Sequence, residues 1–277
     1  MNNQVTNWCI RDGELLQSNM DIEFLAPPVY EVIRLIEGRP LFLTAHLERF
    51  SNSIKLAALD GVLSEADLVQ GIVKLVDKTG LTHHNVRLEM GMLEHGITWV
   101  LFMVVTHYPE EELYVQGVHT VTSDITRENP HAKIFRKNYA QSISKIRSDS
   151  EAFEVILVDE DACVTEGSRS NLFFIKNNTI ITAREEDVLL GISRLELCKL
   201  LFGLNIPIEM RAIRKSELPD FDACFLTGTS IKVLPIASID TVNYASSTHP
   251  LVLKLIDAFD DALYKDINNL KYFGGSI

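Results

Sequence analysis

Lys133 and Glu166 stand 33 residues apart, and between them lie an apolar run, an acidic turn and the hairpin-like stretch Val164-Thr165-Glu166-Gly167. A lysine amine that is neutral at working pH can join a carbonyl as a Schiff base, and burial or a nearby cation lowers its pKa enough for this. Arg136 and Lys137 follow Lys133 closely. Glu166 sits between β-branched residues and a glycine, beside an apolar strand, where a buried carboxylate needs a cationic partner. Taken singly neither residue says much, because most lysines are solvated surface residues. Lys137, 29 residues before Glu166, is a rival for the amine.

Three further stretches stand out. Arg49 lies in His46-Leu47-Glu48-Arg49-Phe50, on the second turn of a predicted helix. A guanidinium matches a phosphate through paired hydrogen bonds. Leu190-Gly191-Ile192-Ser193-Arg194 is a turn feeding a helix, so the N–H groups of Ile192 and Ser193 would face an anion. Thr227-Gly228-Thr229-Ser230 is followed by Pro235. Each stretch alone is common, since Gly-Ser turns cap many helices.

In this order along the chain, these residues resemble the fold-type IV family of pyridoxal-phosphate enzymes: the branched-chain and D-amino-acid aminotransferases and aminodeoxychorismate lyase. The resemblance implies pyridoxal 5'-phosphate as cofactor, Lys133 as the catalytic lysine that carries it, and Glu166 on its ring nitrogen. It implies Arg49, Ile192, Ser193 and Thr229 around the phosphate. Ser170 and Asn171, in Ser168-Arg169-Ser170-Asn171-Leu172-Phe173-Phe174, resemble positions flanking the ring, and read equally as ordinary polar strand residues. Tyr139 reads as a ligand of the cofactor's phenolic oxygen or as a core tyrosine. The implied fold is α/β (α+β), in two domains, similar to D-amino-acid aminotransferase. The implied assembly is a homodimer.

The substrate side departs from the family. Ala26-Pro27-Pro28 stands where the D-enzymes carry Gly-Asp-Gly, and Asn85–Leu93 lacks their Arg-Gly pair. Arg87 and Glu89 alternate so as to share one strand face. Arg87 reads as a substrate-carboxylate ligand or as an outward salt-bridge residue, and Tyr30 as a pocket residue or as packing. Three functions follow. The leading one is amino transfer between an amino acid and a 2-keto acid. The second is aminodeoxychorismate cleavage with release of pyruvate. The third is a catalytically inactive pyridoxal-phosphate-binding regulator.

The elements that must position these residues are legible from their patterning. Hairpins are predicted at Asp12-Gly13, Glu37-Gly38 and around Glu94-His95-Gly96. The second hairpin returns through Pro40–Leu43. Thr44 is expected to cap a helix whose apolar positions include Leu47, Phe50 and Ile54. Ser64 with Asp67 caps another, through about Asp77. A polar linker is expected over Thr122–Pro130. Helices are expected near Asn138–Arg147, just after Gly191, and over Pro250–Ile267. The domain division expected is 1–120, a linker at 121–130, and 131–277.

With 277 residues and a net charge of -12, the chain repels nucleic acid and anionic membranes. No run of apolar residues is long enough to span a bilayer. Four cysteines lie far apart without a CxxC pair, which argues against zinc or a disulfide framework. The eight histidines form neither HExxH nor a clustered ligand set, so no metal is expected. The N-terminus lacks a basic and apolar leader, and a cytoplasmic location is expected.

Overall fold

The computed structural model describes residues 4–17, 22–127 and 130–269. They divide into two compact units. The first takes the described residues through His107, the short segment Ala132–Phe135, and those from Leu263 on; the second takes Tyr108–His131 and Arg136–Ala262.

In the first unit the strands are β1 (Gln4–Arg11), β2 (Glu14–Gln17), β3 (Val29–Ile36), β4 (Arg39–Pro40), β5 (Asn85–Leu93) and β6 (Gly96–Val104). They form one antiparallel sheet in the order β2-β1-β6-β5-β3-β4. Its tight turns at Asp12-Gly13 and Glu37-Gly38 have positive φ at both residues, the hand that matches strand twist. Helices α1 (Leu43–Leu56) and α2 (Glu65–Thr79) cover one face. There Ile33, Leu35, Phe50, Leu68, Ile72, Val86 and Leu101 bury themselves in a common core.

Two expectations need correction. Strand β4 ends at Pro40, and Leu41 and Phe42 turn directly into α1. The residue before α1 is Phe42, not Thr44. Its backbone is left-handed at φ 52, and its N–H donates to Asp266 Oδ2 at 2.7 Å. A bulky residue adopts that conformation only when its surroundings impose it, and here a distant carboxylate does so. Ser64 caps α2 as expected, accepting from the Asp67 N–H at 3.1 Å.

The second unit begins with α3 (Glu111–Gln116), β7 (Val118–Ser123) and α4 (Lys137–Ser150). Then come β8 (Glu154–Val158), β9 (Cys163–Gly167), β10 (Asn171–Lys176) and β11 (Thr179–Thr182). Helix α5 (Ile192–Gly203) leads to β12 (Ile208–Met210), β13 (Ile213–Arg214), β14 (Ala223–Gly228), β15 (Lys232–Ile239) and β16 (Val242–Asn243). Helix α6 (Pro250–Asn269) belongs to this unit through Ala262 and to the first from Leu263. The mixed sheet runs β12-β11-β10-β14-β15-β7-β8-β9-β13, with β16 on β15. Strands β8 and β10 are buried almost throughout, as their apolar runs require. Their core includes Ile156, Val164, Leu172, Phe174, Leu226 and Ile236.

Candidate active site

In the first unit the candidate residues gather around β3. Residues 132–135 run along the start of that strand: Tyr30 N–H donates to the Lys133 carbonyl at 2.9 Å, and Phe135 N–H to the Pro28 carbonyl at 3.0 Å. The Lys133 N–H in turn donates to Ser53 Oγ of α1 at 3.1 Å. Lys133 is therefore fastened by its backbone on both sides, and its Nζ lies 5.0 Å from the centre of the Tyr30 ring. Lys137 is instead an exposed residue at the start of α4.

Strand alternation sorts the rest. Tyr30 and Val32 stand on the sheet face away from the helices; Val29, Glu31 and Ile33 point to the core. In register with them, Glu89 lies opposite Tyr30 and Arg87 opposite Val32. The Arg87 guanidinium packs on Tyr30 at 4.4 Å and on Phe135 at 4.6 Å, and its Nε donates to Glu89 Oε1 at 2.6 Å. So Tyr30, Arg87 and Lys133 are brought together.

Arg49 answers to a residue the sequence reading passes over. Glu31, fully buried in the apolar phase of β3, accepts from Arg49 Nε at 2.7 Å and Nη2 at 2.6 Å, and contacts His46 Nδ1 at 2.8 Å. Burial alone would push the Glu31 carboxyl up. The Arg49 charge and the hydrogen bonds from His46 and Arg49 outweigh it and hold the carboxyl well below the usual carboxylate range. Burial, with the Arg49 and Lys133 charges beside it, lowers the His46 pKa against the opposing pull of Glu31, which favours the neutral imidazole. The planar fork of Arg49 is thus fixed in orientation.

In the second unit Glu166 is buried at the centre of a donor set. Arg127 Nε donates to its Oε1 at 2.8 Å; Asn171 Nδ2 and the Leu189 N–H donate to Oε2, each at 3.2 Å. Arg127 also donates to the Ser168 carbonyl at 2.7 Å, and Tyr139 Oη donates to the same carbonyl at 3.1 Å. The guanidinium lies 5.4 Å from the Tyr139 ring centre. A buried carboxylate is tolerated when paired and hydrogen-bonded this way. Nothing in the polar stretch around Arg127 announces this role.

Asn171 joins that carboxylate to α5. Its Nδ2 also donates to the Leu189 carbonyl at 2.9 Å, and a Cβ on Gly191 would collide with its Oδ1. Gly191 therefore lets the start of α5 approach Asn171. The residue that opens that helix is Gly191, which has no side chain to cap it, so the amides of its first turn, at Ile192 and Ser193, face outward from it. Asn171 pairs across the sheet with Thr227, whose buried hydroxyl has no hydrogen-bond partner among the described residues. Thr229 follows in the turn after β14. Ser170 Oγ donates to buried Glu154 at 2.9 Å, as does Ser168 Oγ. Among the described residues, no group of three or more His, Cys, Asp or Glu is placed to hold a metal. Nor is any helix among them long and apolar enough to cross a membrane.

The family model for amino-transferase class IV matches residues 28–239. The D-alanine aminotransferase of Bacillus licheniformis is 32% identical over 224 residues, 76% of this chain and 78% of that one. The aminodeoxychorismate lyase of Bacillus subtilis (strain 168) is 22% identical over 236 residues, 79% and 80% of the two chains. Among solved structures, the T.th. branched-chain amino acid aminotransferase with pyridoxamine 5'-phosphate superposes with a TM-score of 0.83 at 22% identity, covering 97% of this chain and 96% of the other. The fold is therefore fold type IV, and the chain belongs to the class IV aminotransferases, enzymes that work with pyridoxal 5'-phosphate.

Proposed function

We propose that this enzyme transfers an amino group between an α-amino acid and a 2-keto acid, with Lys133 as the lysine that carries the cofactor. The observation that carries the assignment is the seating of Lys133. Its backbone is tied to β3 and α1, and its amine lies on Tyr30 beside Arg87. The residues present fit pyridoxal phosphate on four counts. These are a lysine amine, a buried carboxylate for a protonated ring nitrogen, a helix start that opens on a glycine, and a buried threonine hydroxyl without a partner among the described residues.

We assign the ring nitrogen to Glu166, with Asn171 and Arg127 holding that carboxylate in place. We assign the phosphate to Arg49, the amides of Ile192 and Ser193, and Thr229. Tyr139 and Ser170 border the ring region in this reading, supported by Tyr139's bond to the Ser168 carbonyl and by Ser170's place beside Asn171. Bound pyridoxal phosphate supplies a carbonyl for an amine and a ring that accepts electron density. Lys133 Nζ would take the proton from the donor's α-carbon as general base and, as general acid, deliver it to the cofactor carbon that keeps the transferred nitrogen. Glu166 would keep the ring nitrogen protonated through a charge-assisted hydrogen bond. Arg87, held flat by Tyr30 and Phe135, orients the donor by its carboxylate.

A homodimer and a cytoplasmic location belong to the same reading. The family resemblance supports the first, and four cysteines without a disulfide support the second. The test is the absorbance of the purified holoenzyme on adding D- and L-amino acids without any keto acid. Conversion of the cofactor band to its aminated form by one donor class is expected. A band unchanged by every donor, with pyruvate released from aminodeoxychorismate, would overturn amino transfer in favour of the lyase.

A further inference from the structure

Arg87 is not alone on its sheet face. Glu89, two residues on, accepts from its Nε at 2.6 Å, and the two side chains are only 18% and 14% exposed. The opposed strand sets Tyr30 beside Glu89, and Val100 and Phe102 of β6 flank the pair on the other side. Both neighbours are buried and apolar. A charge pair walled by apolar and aromatic groups is screened less than one in open water. Its net charge is zero, so Glu89 offsets the field with which Arg87 would attract a second anionic group.

We propose that Glu89 is a specificity-determining residue that confines the enzyme to monocarboxylic amino donors and keto acids and disfavours dicarboxylic ones. The proposal rests on the reading of Arg87 as the substrate-carboxylate ligand. One carboxylate can still meet the guanidinium, because Glu89 engages it through Nε and a guanidinium carries five N–H donors. A second carboxylate near the pair meets the Glu89 charge. Discrimination of this kind comes from a repulsive element as much as from an attractive one.

The experiment measures single-turnover half-reactions by cofactor absorbance. Alanine enantiomers and pyruvate are compared with glutamate enantiomers and 2-oxoglutarate, in the unmodified holoenzyme and in Glu89→Gln, Glu89→Leu and Arg87→Met. The unmodified enzyme is expected to favour the monocarboxylic compounds. Glu89→Gln keeps the shape and removes the charge, and should raise the dicarboxylate-to-monocarboxylate ratio of kcat/KM by roughly tenfold or more, the order for losing one partly screened like-charge contact. Glu89→Leu, read the same way in case the amide rearranges, should move the ratio in the same direction. A ratio unchanged in both Glu89 variants, with KM raised for every carboxylate in Arg87→Met, would overturn the role of Glu89 while leaving Arg87 in place. An unmodified enzyme that prefers dicarboxylates would overturn it too, and would point to Arg34, on the same face one row further along β3. If Arg87→Met leaves every KM unchanged, the underlying reading of Arg87 fails as well.

Discussion

Glu31→Gln exposes the physics of the first unit most sharply. Glu31 has no solvent exposure and Arg49 only 10%, and two guanidinium hydrogen bonds of 2.7 and 2.6 Å join them. Glutamine retains one acceptor, but its NH2 group faces the second guanidinium donor, and Arg49 loses the buried carboxylate that accepts from it twice. Removing one member of a buried pair costs about 3–5 kcal/mol. The surviving acceptor places this substitution near the lower end, about 3 kcal/mol. For a chain of this size each kcal/mol moves the melting temperature by roughly 2–4 °C, so a drop of about 6–12 °C is expected. Circular dichroism melts of the holoenzyme at neutral pH read it. Glu48→Gln, an exposed neighbour on the same helix, is the control and should stay within about 0.5 kcal/mol. Because Glu31 orients Arg49, cofactor affinity should fall in parallel, measured by equilibrium dialysis. A loss of under 1 kcal/mol with unchanged cofactor affinity would refute both the energetic argument and the assignment of Arg49 to the phosphate.

Two other perturbations test neighbouring links. His46 is neutral in the fold because burial lowers its pKa, whereas in the unfolded chain it titrates near the ordinary value of about 6.5. The unfolded chain therefore binds more protons just below that pH, and stability falls as pH falls through about 6.5. In His46→Asn that part of the slope should flatten in urea titrations between about pH 7 and 5; an unaltered slope would show that His46 does not set it. Gly191→Ala drives a methyl into Asn171 Oδ1 and must displace that side chain from Leu189 and Glu166. Cofactor affinity should drop about tenfold or more, while Gly203→Ala, whose added methyl meets nothing within 4 Å, should leave it unchanged. Equal affinities for the two variants would remove Asn171 from the cofactor account.

The legible parts of this chain are those governed by nearby residues. Asp12-Gly13 forms its hairpin with Arg11 opposite Glu14, and Ser64 caps α2, because turn and cap chemistry act over a few positions. Local patterning puts the cap of α1 two residues late because Asp266, 224 positions away, takes the Phe42 N–H. Nearby residues carry no trace of such a partner. Glu31, by contrast, does leave a signal. It occupies the same phase of β3 as Val29, Ile33 and Leu35, and a carboxylate in the apolar phase of a strand points to a buried partner. His46 and Arg49, three residues apart on one helix face, are the candidates that signal selects. Arg127 leaves none. It lies in an irregular polar stretch, and only the tertiary fold brings it to Glu166.

The measurement that bears most directly on the mechanism is borohydride reduction of the holoenzyme followed by peptide mapping in a mass spectrometer. A phosphopyridoxyl group recovered on Lys133 is the expected result, with none on Lys137. Recovery on Lys137, or on any other lysine, would contradict the assignment of the seated amine beside Tyr30 as the one that carries the cofactor.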